Sequence, residues 1–222
     1  MKVEKGDFIE FEFIARVKGG DVYDTNIKEE AKKIGFKEEV APSLICIGQG
    51  MILKGLDSAF PGKELGKEYE LELKPTEAFG NRDKKLVRVY PLKAFLERNI
   101  KPYPGLVLAL DNMLAKIISV TGGRVTIDMN NPLAGKDVIY KFTIKRKVEA
   151  VEEKARALKE FFYGKYAEFE VKDSNIIIKA PKQLEKFILT YKDKFKELLN
   201  LDMVFEEKEI KQEEKKEEKQ QI

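Results

Sequence analysis

Between Asp7 and Val17 the chain alternates by twos. Ile9, Phe11, Phe13, Ala15 and Val17 fall on one side, with Glu10, Glu12 and Arg16 on the other. Successive side chains of a strand point to opposite faces, so this run fits a strand with one buried face and not an amphipathic helix. The rhythm returns at Tyr69, Leu71 and Leu73 against Glu70, Glu72 and Lys74, and in bulky alternating residues from Val138 to Ile144. Gly19-Gly20 turns the first strand into a return that starts at Val22-Tyr23-Asp24, and Leu44 to Ile47 reads as a further strand. The helical pieces between them are short: a charged patch from Lys28 to Ile34, and Leu53 to Phe60, closed by Pro61-Gly62. The pattern is α+β, an antiparallel sheet with one short helix packed on it.

From Leu86 the texture changes. Leu86 to Tyr90 is strand-like, Pro91 and Leu92 open a short helix through Leu96, and Pro102 and Pro104 break the chain. Three short strands follow, Leu106 to Leu110, Ala115 to Val120 and Arg124 to Met129, turned at Asp111-Asn112 and Gly122-Gly123. Because Val138 to Ile144 should rejoin the first sheet, this second module is expected to be inserted into a loop of the first. The predicted division is 1–86 plus 130–150 for the first domain, 87–129 for the insert, 151–205 for a C-terminal α/β domain and 206–222 for a charged tail.

In that C-terminal domain, Glu152 to Phe162 has a helical pattern. Glu168 to Val171 and Ile176 to Lys179 read as a hairpin around Asp173-Ser174-Asn175, and Gln183 to Leu201 carries apolar residues at helical spacing. So small a piece is expected to bury its apolar face poorly alone, which a second copy of the chain would remedy. The Lys/Glu/Gln run from Glu206 is expected to be a solvated helical extension or a frayed tail.

Composition narrows the chemistry. The chain has no His, which excludes Ser-His and Cys-His catalysis and His-ligated metals. Its one cysteine, Cys46, lies in an apolar run and reads as a small buried hydrophobe. Charge is high, 36%, but nearly balanced at +3, so nothing in it calls for nucleic acid or lipid. The start, MKVEKGDFIEFEF, has no signal-peptide core, and no run approaches the length of a membrane span. The expectation is a soluble, cytoplasmic protein with neither a nucleic-acid nor a membrane partner.

The stretch GQGMILKGLD, Gly48 to Asp57, places glycines at 48, 50 and 55. A phosphate loop would need Lys and then a hydroxyl after the last glycine, but Leu56 and Asp57 stand there. Met51, Ile52, Leu53 and Leu56 instead suit the floor of an apolar pocket.

This stretch, together with Tyr23-Asp24, Glu77-Ala78-Phe79-Gly80-Asn81-Arg82 and Asn131-Pro132-Leu133-Ala134-Gly135-Lys136, resembles the FKBP-type peptidyl-prolyl isomerases, in their SlyD-like and long archaeal forms with a chaperone module inserted in the flap. The resemblance covers roughly residues 1–150. It implies a sheet wrapped on a short helix, with the substrate proline seated between them. Ile52, Leu53 and Leu56 then match the floor, Phe13, Tyr23 and Phe142 the aromatic walls, Asp24 an acidic pocket-edge orienter, Phe79 the loop aromatic and Leu133 the rim. From periodicity alone Phe13, Tyr23 and Phe142 would be ordinary core, and Asp24 would pair with a backbone amide or an Arg. Phe79 and Phe13 stand where the family usually has Tyr, and Ser43 replaces a larger wall residue, widening the pocket.

The implied function is acceleration of X–Pro isomerisation in folding proteins, coupled to binding of unfolded chains. The alternative is a holding chaperone with the same fold and weak or no isomerase activity. Leu106, Leu108, Met113 and Leu114 are the candidate chaperone groove. No cofactor or metal is implied. The expected partners are unfolded or partly folded proteins with X–Pro bonds, macrolide inhibitors of the FKBP class, and a second copy of the chain through the C-terminal domain.

Overall fold

The computed structural model describes residues 1–208 apart from 38, 111 and 112. The predicted turn at Asp111-Asn112 and the tail beyond 208 lie outside the described residues.

The alternating segments assemble into one antiparallel sheet of β1 (Phe8–Val17), β2 (Val22–Thr25), β3 (Ser43–Cys46), β4 (Glu68–Leu73) and β9 (Val138–Lys147). Its order is β2-β1-β9-β4, with β3 also on β1. Cross-strand partners Phe13 and Phe142, Ala15 and Tyr140, Tyr69 and Phe142, and Leu71 and Tyr140 put the apolar set on one face. A short helix α1 (Lys28–Lys33) follows β2, and the helix α2 (Lys54–Ala59) and the residue after it cover the apolar face. Phe60 meets Phe11 and Phe142 edge-on at 5.1 and 5.0 Å between ring centres. Each such ring buried in full contributes about 1.5–3 kcal/mol.

On one edge β1 pairs with β3 from Phe8 to Phe11 and with β2 from Ile14 onward. The buried side chain of Asn26 fills the gap between them. Its Oδ1 accepts the Phe13 N–H at 2.7 Å, and its Nδ2 donates to the Phe11 carbonyl at 2.9 Å and to Ser43 Oγ at 3.0 Å. An amide side chain thus completes the edge where no strand reaches, which unpaired buried backbone groups require. The Ser43 hydroxyl is engaged in this bond.

Between β4 and β9 the chain builds β5 (Val87–Pro91), α3 (Leu92–Leu96), β6 (Val107–Leu110), β7 (Met113–Thr121) and β8 (Arg124–Asp128). These strands form their own sheet, order β5-β8-β7-β6, around Phe95, Ala115, Ile117, Val125, Ile127 and Met129. Asn130 fastens the two crossings. It accepts the Asp83 N–H at 2.8 Å and donates to the Asp83 carbonyl at 3.0 Å and to Asp128 at 2.7 Å, and Asp128 also pairs with Arg82.

The C-terminal unit comprises α4 (Val151–Tyr163), β10 (Glu168–Lys172), β11 (Asn175–Ala180), α5 (Glu185–Leu189), α6 (Lys192–Leu199) and β12 (Asp202–Glu207). Two expectations fail here. Gln183 to Leu201 is not one helix: the chain breaks at Thr190-Tyr191, where the Tyr191 ring packs on Phe162 at 4.2 Å. Residues 206 and 207 are not tail, because β12 pairs in parallel with β11 as far as Glu207. A parallel neighbour needs a crossover, and α5 and α6 supply it. The broken helix and the extra strand therefore have one cause.

The apolar face of this unit, expected to be poorly buried, is covered within the chain. Its core of Ala155, Leu158, Ile176, Ile178, Phe195 and Met203 is continuous with Phe8, Cys46 and Val148 from the outer face of the first sheet. Arg146 on β9 clamps the seam, bonding Glu10 on β1 and Glu153 on α4, each through two nitrogens at 2.7–3.0 Å. Among the described residues no helix is long and apolar enough to cross a membrane.

Candidate functional site

The glycine stretch folds as a loop held from the inside. Gly48 and Gly50 adopt φ of +81° and +68°, a left-handed backbone that glycine reaches without strain. Their N–H groups donate to the buried carboxylate of Asp57 at 2.7 and 3.0 Å. The residue that ruled out phosphate is the one that ties the loop to α2. Beyond the loop, Ile52 and Leu53 lie half-buried against the first core.

The half-buried rings of Phe13, Tyr23 and Phe79 and the buried ring of Tyr140 cluster on the same core as Ile52 and Leu53. Tyr23 meets Phe79 edge-on at 5.9 Å and Tyr140 at 6.5 Å, and Phe13 lies 5.6 Å from Tyr140. The sequence reading missed Tyr140. The signal was present, because Tyr140 stands two residues before Phe142 in the same alternation and therefore on the same face.

Not every expected residue reaches the surface of this site. Leu56 and Phe142 are each 2% exposed and support it from below, Phe142 stacking on Tyr69 at 5.6 Å. Leu133 lies apart from the first core, in a turn where Asn131 Oδ1 accepts its N–H at 2.8 Å. The hydroxyl of Ser43 is bonded to Asn26 as part of the edge repair.

Tyr23 donates its hydroxyl proton to Tyr140 at 3.1 Å. Burial first, and then this bond, push the Tyr23 pKa well up, and burial also raises that of Tyr140. Both phenols are neutral at ordinary pH. Burial likewise raises the pKa of Asp24, while the N–H of Thr25 pulls it the other way. Cys46, the remaining reactive type, lies outside the site on the seam, its thiol pushed up to about 12 by burial. A thiol so raised is a poor nucleophile. The cluster presents apolar ring faces and two neutral phenol hydroxyls, with no thiol or imidazole among its residues.

The four candidate groove residues do not share a face. Leu106 and Leu108 pack into the insert's own core, Met113 is 41% exposed where β7 begins, paired with Leu110 on that same face, and Leu114 is 67% exposed on the opposite face. A separate groove of about 480 Å³ opens in the C-terminal unit, lined by Phe161, Tyr166, Leu184, Phe187 and others. It is apolar and carries no acid–base pair.

The fold is thus an antiparallel sheet with a short helix on its apolar face and an aromatic cluster beside that helix. Comparison with known proteins narrows the class. The family model described as FKBP-type peptidyl-prolyl cis-trans isomerase matches residues 1–97, and the one described as FKBP26, IF domain, matches residues 88–133. A short-type peptidyl-prolyl cis-trans isomerase of Methanocaldococcus jannaschii is 37% identical over 154 residues, covering 68% of this chain and 96% of that protein. The FKBP-type isomerase SlyD of Aeromonas hydrophila is 26% identical over 147 residues, 65% of this chain and 64% of that protein. SlyD of Helicobacter pylori is 26% identical over 159 residues, 70% and 79% of the two chains. The chain belongs to the family of FKBP-type peptidyl-prolyl cis-trans isomerases. Its reaction is therefore rotation about the peptide bond that precedes proline.

Proposed function

We propose that this rotation takes place over Ile52 and Leu53, between the rings of Phe13, Tyr23, Phe79 and Tyr140, and that the insert holds unfolded chains while it proceeds. The observation that carries the reading is the clustering of those four rings on the same core as Ile52 and Leu53. Leu56 and Phe142 act from beneath, Asp24 orients the bound segment from the edge, and Leu133 closes the rim once a peptide is seated.

X–Pro bonds turn slowly because rotation breaks amide resonance, a barrier of about 18–20 kcal/mol. The planar amide is strongly dipolar and well hydrated, and twisting removes much of that dipole. An apolar site therefore favours the twisted form over the planar one, which is differential binding. Each tenfold gain in rate requires about 1.4 kcal/mol of such preference. Phe79 and Phe13 offer no hydroxyl, but Tyr140 accepts from Tyr23 and keeps its own proton for a substrate carbonyl. This supports real turnover over the holding-only alternative.

The insert exposes Val107, Leu114 and Ile118, and β6 is one of the two edge strands of its sheet. An apolar face beside an open edge suits extended chains, which add as a strand and bury alternate side chains. We place the action in the cytoplasm, where a lone free thiol stays reduced, on unfolded proteins with X–Pro bonds. Macrolides of the FKBP class are expected to compete for the same rings.

Tyr23→Ala tests the site. Turnover of a short X–Pro peptide should fall by about tenfold or more, the equivalent of about 1.4 kcal/mol, while unfolded protein is still bound. Unchanged turnover would mean the pocket lies elsewhere. Removing 87–129 should spare activity on the short peptide and sharply reduce it on a refolding protein. Equal loss on both would make the insert part of the catalytic fold.

A further inference from the structure

β3 is packed on both faces. Ser43 and Ile45, paired with Phe11 and Ile9, face the first core, while Leu44 and Cys46, paired with Glu10 and Phe8, face the C-terminal core. The chain then turns through the Gly48–Gly50 loop and brings Met51 back against its own strand, where Sδ accepts the Cys46 N–H at 3.2 Å. Among the described half-buried apolar side chains, Met51 alone packs against both cores. The next two residues are Ile52 and Leu53. Asp57 fixes the loop at its glycines through its carboxylate and holds the Leu53 carbonyl through its own N–H at 2.9 Å, so Met51 and Ile52 are the residues between the two ties.

We propose that Met51 is a positioning residue through which the C-terminal unit sets the placement of the pocket floor. This rests on the reading that Ile52 and Leu53 form that floor. An unbranched thioether suits the task, since it can follow two packing surfaces at once. Coupling of this kind is reciprocal: whatever the C-terminal core does to peptide binding, bound peptide does to the C-terminal core.

The five methionines allow both directions to be read in the full chain. Met51 lies on the seam, Met203 is buried in the C-terminal core, and Met113 is exposed on the insert and serves as a control. With 13C-methyl methionine in the full chain, titration with a short X–Pro peptide should move the Met51 and Met203 signals along one saturation curve and leave Met113 in place. Met51→Ala should raise KM about fivefold, within the usual range of such couplings, with kcat little changed, and should silence Met203. Met51→Leu, which restores the apolar volume, should recover KM. A Met51 signal that moves beside a silent Met203 overturns the proposal alone. So does a Met51→Ala variant with native KM. A silent Met51 at full turnover overturns it together with the placement of the floor.

Discussion

Asp24 couples the stability of the fold to pH. It stands at the edge of the rings, and burial raises its pKa. The folded chain therefore holds that proton more tightly than the unfolded chain does. The stability this confers is fully present below the unfolded pKa and is lost as pH rises through the folded one. Asp24→Asn removes the titration. We expect the variant to be more stable than the native chain near about pH 7, with the difference gone by about pH 3, below the ordinary aspartate range. Denaturant melts at the two pH values measure this, and no gain near neutrality would mean that partners fully compensate the charge. Legibility at this scale was uneven. Alternation sets Phe13 on the apolar face, where periodicity alone reads it as ordinary core, and only the resemblance singles out Phe13 and Tyr23 for the site. Alternation does not say how deep a residue sits: the resemblance sets Phe142 in the wall, but it is 2% exposed, and Tyr140, two residues away on the same face, goes unnamed.

At the level of elements, α2 sits where it does because Gly55 lets it. A methyl there would lie 2.5 Å from Leu73 Cδ2, 2.8 Å from Glu77 Cβ and 3.1 Å from the Glu77 carbonyl oxygen, and that last atom is backbone. Alanine gains about 1 kcal/mol of helix propensity over glycine, but overpacking costs about 1–3 kcal/mol. Gly55→Ala is therefore expected to be net destabilising and to lift α2, with a lower urea midpoint. An equal or higher midpoint would mean that α2 has room to move. The glycine spacing in the sequence raised the right question, and the residues around it excluded phosphate, but nothing local predicts this close approach. The strands β1, β4 and β9 were readable because each has one wet face. β12 was not: Met203 and Phe205 are flanked by charge, and a parallel edge strand is defined by a neighbour far back in the chain. The helix break before it was hidden for the same reason, since periodicity continues across a turn.

For the whole molecule, the C-terminal unit is covered on one side by the first sheet and open on another. Phe161, Tyr166 and Phe187 remain 44%, 55% and 48% exposed around the apolar groove. Intramolecular packing thus removes the original argument for a dimer and leaves a different one, the groove itself, on which we propose that a second copy docks. Sedimentation of the full chain should show a concentration-dependent dimer that Phe187→Glu dissolves. A monomer at all concentrations would refute this.

The position of β9 in the sheet also has a consequence in time. It pairs with both β1 and β4, yet it is made after the entire insert. During synthesis the first sheet therefore cannot close until its central strand emerges, whereas every strand of the insert already has its partner. Once folded, the insert draws residues 87 and 128 together and shortens the loop that separates β4 from β9. Since the entropy of closing a loop grows with its length, the segment proposed to tend other unfolded chains first eases the folding of its own.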